Sequence, residues 1–234
     1  MPTYADLIAS VESIMQDSSI TDIGNRINSA VTSIAAGIRL PDGSISPPLP
    51  ELYEMGAVPT VLTYAYASLP ATYQRNVFLI ADSNGNTISP PNGGDYYSFA
   101  LFLKYIPKKD LSETGSVYRV AVKGRKLYYQ GIPSASTNLT LHYYRKPVDM
   151  VLDVATPDGP PVHLQERLIV HYVCRDIFGA QLEDGENSSK MGASYHEGKF
   201  YEAMFDLIDF VGIDAEPEYY AGGNSGFQDL GICD

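Results

Sequence analysis

Tryptophan is absent from the 234-residue sequence, and cysteine and histidine are rare, with two and four copies. Carbohydrate-binding modules commonly use tryptophan rings as platforms for sugars, so the absence of tryptophan counts against that class. Cys174 and Cys233 lie far apart in the chain. Two free thiols in a reducing compartment are therefore expected, and a disulfide framework is not.

Positive charge is also scarce, because 16 Lys and Arg face 28 Asp and Glu, for a formal net charge of −12. A surface that grips DNA needs clustered basic side chains to displace counterions from phosphates, so specific DNA binding is not expected. A surface that DNA merely passes is compatible with this charge. No apolar run approaches the roughly 20 residues that cross a bilayer. The N-terminal segment MPTYADLIASVESIMQD is amphipathic and contains acids, which is not typical of a signal peptide.

Tyrosine is the abundant aromatic residue, with 18 copies beside eight phenylalanines. Tyrosine offers a large apolar ring and one hydroxyl, and it is enriched at protein interfaces. This composition favours a protein that functions through contacts with other proteins.

Helical periodicity frames the chain at both ends. Residues 3–16 and 21–36 each carry one apolar stripe, and Thr3 with Asp6 forms a capping-box pair at the start of the first helix. After Pro147 the helical period returns in residues 162–182, which are apolar on nearly all sides, and in a last helix that ends near Val211.

Between these helices, residues 40–59 are proline-rich and predict a linker, and the apolar period then changes to two. Short strands separated by Gly, Pro and Asn predict an antiparallel sheet or a small barrel. A tight hairpin turn is expected at 123–125. The predicted strands are residues 61–67, 76–81, 97–105, 117–122, 126–130 and 138–144.

The order of elements predicts an α+β fold. Two N-terminal and two C-terminal helices form an antiparallel helical bundle that carries a β-rich insertion, because helices distant in sequence most simply bury their stripes on each other. The predicted parts are a helical hairpin with its linker (1–57), the β-rich insertion domain (58–146), the C-terminal helical pair (147–211) and an extended C-terminal arm (212–234).

One short segment, HYVCRD at 171–176, carries the residue types of a nucleophilic or a metal site. Zinc needs about four ligands, and no second Cys or His pair with ligand spacing accompanies His171 and Cys174. A cysteine nucleophile needs an activating base and an oxyanion-binding loop, and no glycine-rich nucleophile turn is present. Core packing on a buried helix is the favoured interpretation. No catalytic residue, metal or cofactor is predicted.

Several short segments resemble tailed-phage head-to-tail adaptor (connector) proteins. LIASVESIMQDSSITDIGNRINSAVTSIAAGIRLP is similar to their N-terminal helical hairpin, and residues 68–75 (SLPATYQR) to a strand junction. Residues 141–147 (LHYYRKP) resemble the strand that leads back to the C-terminal helices, and the helix pair at 162–211 is similar too.

This resemblance implies a non-enzymatic structural protein of the virion, made in the host cytoplasm and located in the neck between capsid and tail. It implies a homo-oligomeric ring of about twelve copies that binds the portal protein and tail or nozzle proteins, with genomic DNA passing through the channel unbound and no membrane contact. Other tail or baseplate components remain an alternative. A carbohydrate-binding module or hydrolase built on the tyrosine-rich sheet is a further one.

The predicted partner-binding residues lie in the C-terminal arm. Its Gly222–Gly226 core, GGNSG, loses much backbone entropy on ordering, so it cannot build a helix by itself. Apolar anchors on a flexible segment are typical of a region that folds on binding. Docking on the portal or on a neighbouring subunit is expected through Tyr219, Tyr220, Phe227, Leu230 and Ile232.

Overall fold

The computed structural model describes residues 1–17, 20–88, 99–183 and 187–211. Side chains are not described for residues 105, 182, 183 and 187–189. The described chain is α+β, as predicted, and contains five α-helices and two three-stranded antiparallel sheets. It divides into two compact units. Of the described residues, 1–52 and 146–211 form the helical unit, and 53–145 form the β-rich unit.

Helix α1 (Tyr4–Met15) begins where the sequence predicts. The Thr3 hydroxyl accepts the Asp6 N–H, and the Asp6 carboxylate accepts the Thr3 N–H at 2.8 Å, which completes the capping box. Its buried stripe includes Leu7 and Val11. Helix α2 (Ile23–Ala36) starts two residues later than expected and buries the face predicted for it.

Helices α4 (Gln165–Glu183) and α5 (Asn187–Val211) pack against each other along their lengths, and α4 also contacts α1 and α2. A Cβ at Gly192 of α5 would meet the Phe178 ring of α4 at 3.0 Å, so glycine permits the close approach of these helices. One hydrophobic core joins α1, α2 and α4 with the loop before α4. Its buried members are Leu7, Val11, Ile23, Ile27, Ala30, Val31, Met150, Ile169, Val170, Val173, Cys174 and Ile177.

The strands of the β-rich unit are β1 (Tyr53–Pro59), β2 (Tyr66–Ser68), β3 (Tyr73–Ala81), β4 (Arg119–Lys123), β5 (Lys126–Gln130) and β6 (Asn138–Arg145). The first sheet has the order β1-β6-β3, and the second has the order β2-β5-β4. The tight turn between β4 and β5 is where the sequence predicts it, with Gly124 at φ +59°. Apolar residues from both sheets share a core, which includes Val77, Val120, Leu127, Tyr129 and Leu141.

Three predicted elements are wrong. Residues 61–65 are not a strand, because the hydroxyl of the buried Tyr129 accepts the Val61 N–H at 2.7 Å and lies 2.9 Å from the Tyr64 carbonyl oxygen, so it replaces a strand partner. Strand β1 lies partly inside the predicted linker and pairs with β6 along its whole length. Its Pro59 is the last residue of the strand, where the missing N–H costs little.

Residues 97–105 were predicted as a strand, but the described part forms helix α3 (Phe99–Tyr105). Phe102 and Ile106 are buried and pack with Ala121 of β4, so the segment covers the second sheet and does not join it. The Lys109 ammonium donates hydrogen bonds to the carbonyl oxygens of Leu103, Lys104 and Ile106, which satisfies the C-terminal end of the helix.

Candidate interaction surfaces

The five predicted partner-binding residues lie outside the described part of the chain, so their docking stays a prediction. They are Tyr219, Tyr220, Phe227, Leu230 and Ile232. The described residues offer four other candidates. They are a histidine pair, an exposed aliphatic loop and an exposed apolar group on helix α5 in the helical unit, and an aromatic face in the β-rich unit.

Cys174 occupies the hydrophobic core of the helical unit and has no exposed surface. Burial raises the pKa of its thiol to about 12, so the thiol stays protonated near neutral pH. Because the thiolate is the reactive form of cysteine, this residue is a poor nucleophile and a poor metal ligand. The core-packing interpretation of Cys174 agrees with its surroundings.

His171 has a partner that the sequence did not reveal. Its Nδ1 lies 2.9 Å from Nδ1 of His196 on α5, and the His196 ring stacks on Phe178 at a centroid distance of 5.6 Å. Burial lowers the pKa of both imidazoles, and the nearby cations Arg167 and Lys199 lower that of His171 further. One neutral ring donates and the other accepts, so the pair joins α4 to α5 while at least one Nδ1 is unprotonated.

Among residues 1–17, 20–88, 99–183 and 187–211, no group of three or more His, Cys, Asp or Glu side chains is arranged to hold a metal ion. Asp82, Asn84 and Asn86 alternate in the sequence as ligands do at the start of a calcium-binding loop, but this spacing has a local explanation. The Asp82 carboxylate accepts the backbone N–H groups of Asn84 and Asn86, both at 2.8 Å, and these bonds lower its pKa. The carboxylate therefore stabilises its own turn between two strand segments.

The loop that precedes α4 is fixed to the first two helices. The N–H groups of Tyr4 and Ala5, which begin α1, donate to the carbonyl oxygens of Ala155 and Asp153 at 2.7 and 3.1 Å. The side-chain amide of Asn28 on α2 both donates to and accepts from the backbone of Met150, at 3.0 and 2.9 Å. Because Met150 is also buried in the core, the loop has a defined conformation.

Residues 148–154 of this loop, here called the valine loop, expose an aliphatic cluster. Val148, Val151, Leu152 and Val154 are 69%, 80%, 67% and 75% exposed. The intervening acids Asp149 and Asp153 are exposed as well. Single exposed aliphatic residues are common, but four within seven residues on a fixed loop are typical of a contact site.

The second sheet of the β-rich unit carries a row of aromatic rings on its outer side. Tyr64 stacks on Tyr66 at 5.5 Å between centroids, and Tyr66 lies 5.8 Å from Tyr128. The Lys126 ammonium lies 4.2 Å from the centre of the Tyr66 ring, and Lys123 is exposed beside it on β4. These five residues are called the aromatic–lysine face. Tyrosine is enriched at protein interfaces, and an ammonium over its ring adds a favourable cation–π contact.

Helix α5 presents a third apolar group to solvent. Met191, Tyr195 and Phe205 are each about half or more exposed, and Phe210 contacts the His163 ring edge-on at 4.9 Å. Their positions on one long helix would suit packing against another helix.

Comparison with known families identifies the chain. The family model described as SU10 adaptor protein matches residues 2–224, which is nearly the whole sequence. The chain belongs to the SU10 adaptor family. The resemblance to tailed-phage head-to-tail adaptors is therefore confirmed, and the family implies a phage adaptor and a component of the virion. A search of curated proteins finds no match.

An adaptor binds its neighbours through its surfaces. The two units of this adaptor differ in the sign of their net charge. Residues 53–145 contain nine Lys or Arg and five Asp or Glu, a formal net charge of +4. Residues 1–52 and 146–211 contain seven Lys or Arg and 18 Asp or Glu, a formal net charge of −11. The β-rich unit is thus basic, although the whole chain is strongly acidic. In the part of the adaptor that the structure describes, no helix is long and apolar enough to cross a membrane.

The sequence contained partial signals for these surfaces. Tyr64 and Tyr66, and likewise Lys126 and Tyr128, alternate with buried residues, so their shared outer side could have been predicted from the strand period. In the sequence, the valine loop is a cluster of aliphatic residues that has neither a helical nor a strand period. The histidine pair had no such signal, since 25 positions separate its members.

Proposed function

We propose that the chain is a structural virion protein that forms a ring of about twelve copies under the portal, connects the capsid to the tail and lines the DNA channel. The match to the SU10 adaptor family over residues 2–224 carries this proposal. The exposed surfaces of both units support it, because a subunit of a ring needs contact sites for neighbouring copies and for the proteins above and below.

The proposed architecture is an antiparallel helical bundle that carries the β-rich segment as an insertion. The packing of α4 against α1, α2 and α5 supports this arrangement. So does the order of elements, since all six strands lie between α2 and α4. The proposed parts are 1–57, 58–146, 147–211 and 212–234, with the first boundary moved to residue 53 so that β1 belongs to the insertion.

The proposed role includes no catalysis. The residues that suggested chemistry take part in packing instead, since Cys174 lies in the core and His171 pairs with His196. The excess of acidic side chains outside the β-rich unit supports the passage of DNA, because a negatively charged wall repels phosphates and disfavours binding.

The C-terminal arm is proposed to dock on the portal or on an adjacent subunit through Tyr219, Tyr220, Phe227, Leu230 and Ile232. Its apolar residues flank a glycine-rich core, and a purely solvating segment would not need them. The free energy gained by burying these side chains on a partner would offset the entropy lost on ordering the arm.

The decisive experiment mixes the purified chain with portal rings of the same phage and images the product by electron microscopy. Closed rings of about twelve copies on one end of the portal are expected. A chain ending at Val211 serves as the variant, and it should bind portal rings more weakly while its melting temperature stays unchanged. Binding to tail components without any binding to the portal would instead favour another tail or baseplate protein. No association with portal or tail would overturn the proposal.

A further inference from the structure

We propose that the valine loop of one copy packs on the aromatic–lysine face of the next copy, so that the acidic unit of each subunit contacts the basic unit of its neighbour. The proposal rests on the ring of the proposed function and assigns the contact that builds it. Each copy carries one of each surface, so the contact is head-to-tail and repeats around a ring.

The valine loop is suited to be the inserted element. Its backbone is already held by Tyr4, Ala5 and Asn28, so docking orders little additional chain. Binding by a preorganised loop loses less conformational entropy than binding by a flexible segment. Its four exposed aliphatic side chains gain from leaving water, and this gain requires an apolar partner.

The aromatic–lysine face offers that partner. Tyr64 is 57% exposed, and its ring continues the row formed by Tyr66 and Tyr128. Rings of tyrosine give a wide, stiff apolar surface for aliphatic side chains, at a low cost in side-chain entropy. Helix α3 covers one end of this row, where Phe99 lies 4.5 Å from Tyr128, which leaves the end with Tyr64 and Tyr66 to accept the loop.

Charge selects the neighbouring copy as the occupant. Asp149 and Asp153 stand between the aliphatic residues of the loop. On the face, the Lys126 ammonium lies over Tyr66, and the Lys123 ammonium lies over Phe99 of helix α3 at 4.8 Å. The same complementarity holds between residues 1–52 with 146–211, at −11, and residues 53–145, at +4. Opposite potentials on two apolar surfaces steer their encounter and disfavour contact between like surfaces, that is, loop on loop or face on face.

The test uses two charge reversals that leave the backbone anchors intact. Asp149→Lys/Asp153→Lys reverses the loop, and Lys123→Glu/Lys126→Glu reverses the face. Sedimentation velocity over a range of concentrations at 0.15 M salt, with and without portal rings, measures association between copies. Either reversal alone should raise the dissociation constant by about tenfold or more.

Combining the two reversals in one chain should restore association to near the original strength. An equimolar mixture of the two singly reversed proteins should also assemble, because each reversed surface then finds its complement on another copy. The matched controls, Glu12→Lys/Glu197→Lys and Lys108→Glu/Lys190→Glu, change net charge equally at other exposed positions and should associate as the unaltered chain does. Circular dichroism melting verifies that every variant folds.

The outcomes separate this contact from the proposed function. Unaltered chains that assemble on the portal together with reversed variants that assemble equally well would overturn the contact and leave the adaptor role intact. Reversed variants that fail to assemble and are not rescued by the combination would also overturn it, since the two surfaces would then meet different partners. No assembly of the unaltered chain under any condition would overturn both.

Discussion

Replacing Tyr129 by phenylalanine removes one buried hydroxyl that holds an entire loop. The side chain is fully buried, and its oxygen accepts the Val61 N–H at 2.7 Å. The same oxygen lies 3.0 and 2.9 Å from the carbonyl oxygens of Val61 and Tyr64, and its single proton can be donated to either. Burial raises the pKa of the Tyr129 phenol, so it stays protonated and remains a donor at neutral pH.

Tyr129→Phe keeps the ring and leaves the Val61 N–H and the carbonyl groups without this partner. Leaving a buried polar group unsatisfied costs about 1 to 3 kcal/mol, so a loss of about 2 kcal/mol in the free energy of unfolding is expected. With a urea dependence of about 1 to 3 kcal/mol per molar, the unfolding midpoint should fall by about 1 M. Urea titration monitored by far-ultraviolet circular dichroism measures this shift.

Tyr118→Phe is the matched control. Its hydroxyl donates to Glu113 at 3.0 Å, but the side chain is 41% exposed, so water can replace that bond. A change within about 0.5 kcal/mol is expected for it. If both substitutions shift the midpoint equally, or if Tyr129→Phe shifts nothing, the hydroxyl does not hold residues 61–65 and the reasoning is refuted.

Three further predictions concern the helical unit. The lowered pKa values of His171 and His196 mean that the unfolded chain binds protons first, so stability should fall as pH drops below about 6.5, and urea titrations of His171→Gln/His196→Gln should show a weaker pH dependence. Cys174→Ala should cost on the order of 1 kcal/mol and leave assembly intact, while stoichiometric zinc in elemental analysis would contradict a packing role. Gly159→Ala should cost more than about 1 kcal/mol in thermal unfolding, because φ is +105° and a Cβ would meet Leu52 at 2.9 Å.

The sequence predicted four of the five described helices. Helices α1 and α2 each carry an apolar stripe of helical period, and α1 carries its own capping box. The α+β class followed from the change of period. Errors arose where tertiary partners decide the conformation. Phe99–Tyr105 is rich in aromatic residues that favour strands, yet the burial of Phe102 and Ile106 against the second sheet makes it a helix.

The interaction surfaces were less predictable than the fold. Exposure of the valine loop depends on which of its residues turns inward, and the pairing of Met150 with Asn28 on helix α2 helps to fix that choice. The aromatic–lysine face depends on which side of its sheet meets the core. His171 and His196 meet because α4 and α5 pack in one register, which no local pattern specifies.

The hydrogen bonds from the start of α1 to the loop before α4 also constrain the order of folding during synthesis. The N–H groups of Tyr4 and Ala5 donate to the carbonyl oxygens of Ala155 and Asp153. These acceptors are synthesised about 150 residues after the donors. At about 5 to 20 residues per second, that delay is roughly 7 to 30 s. The β-rich unit, whose residues are all synthesised in this interval, can therefore fold first. The N-terminal helices complete their packing only when the ribosome has released the second half of their own unit.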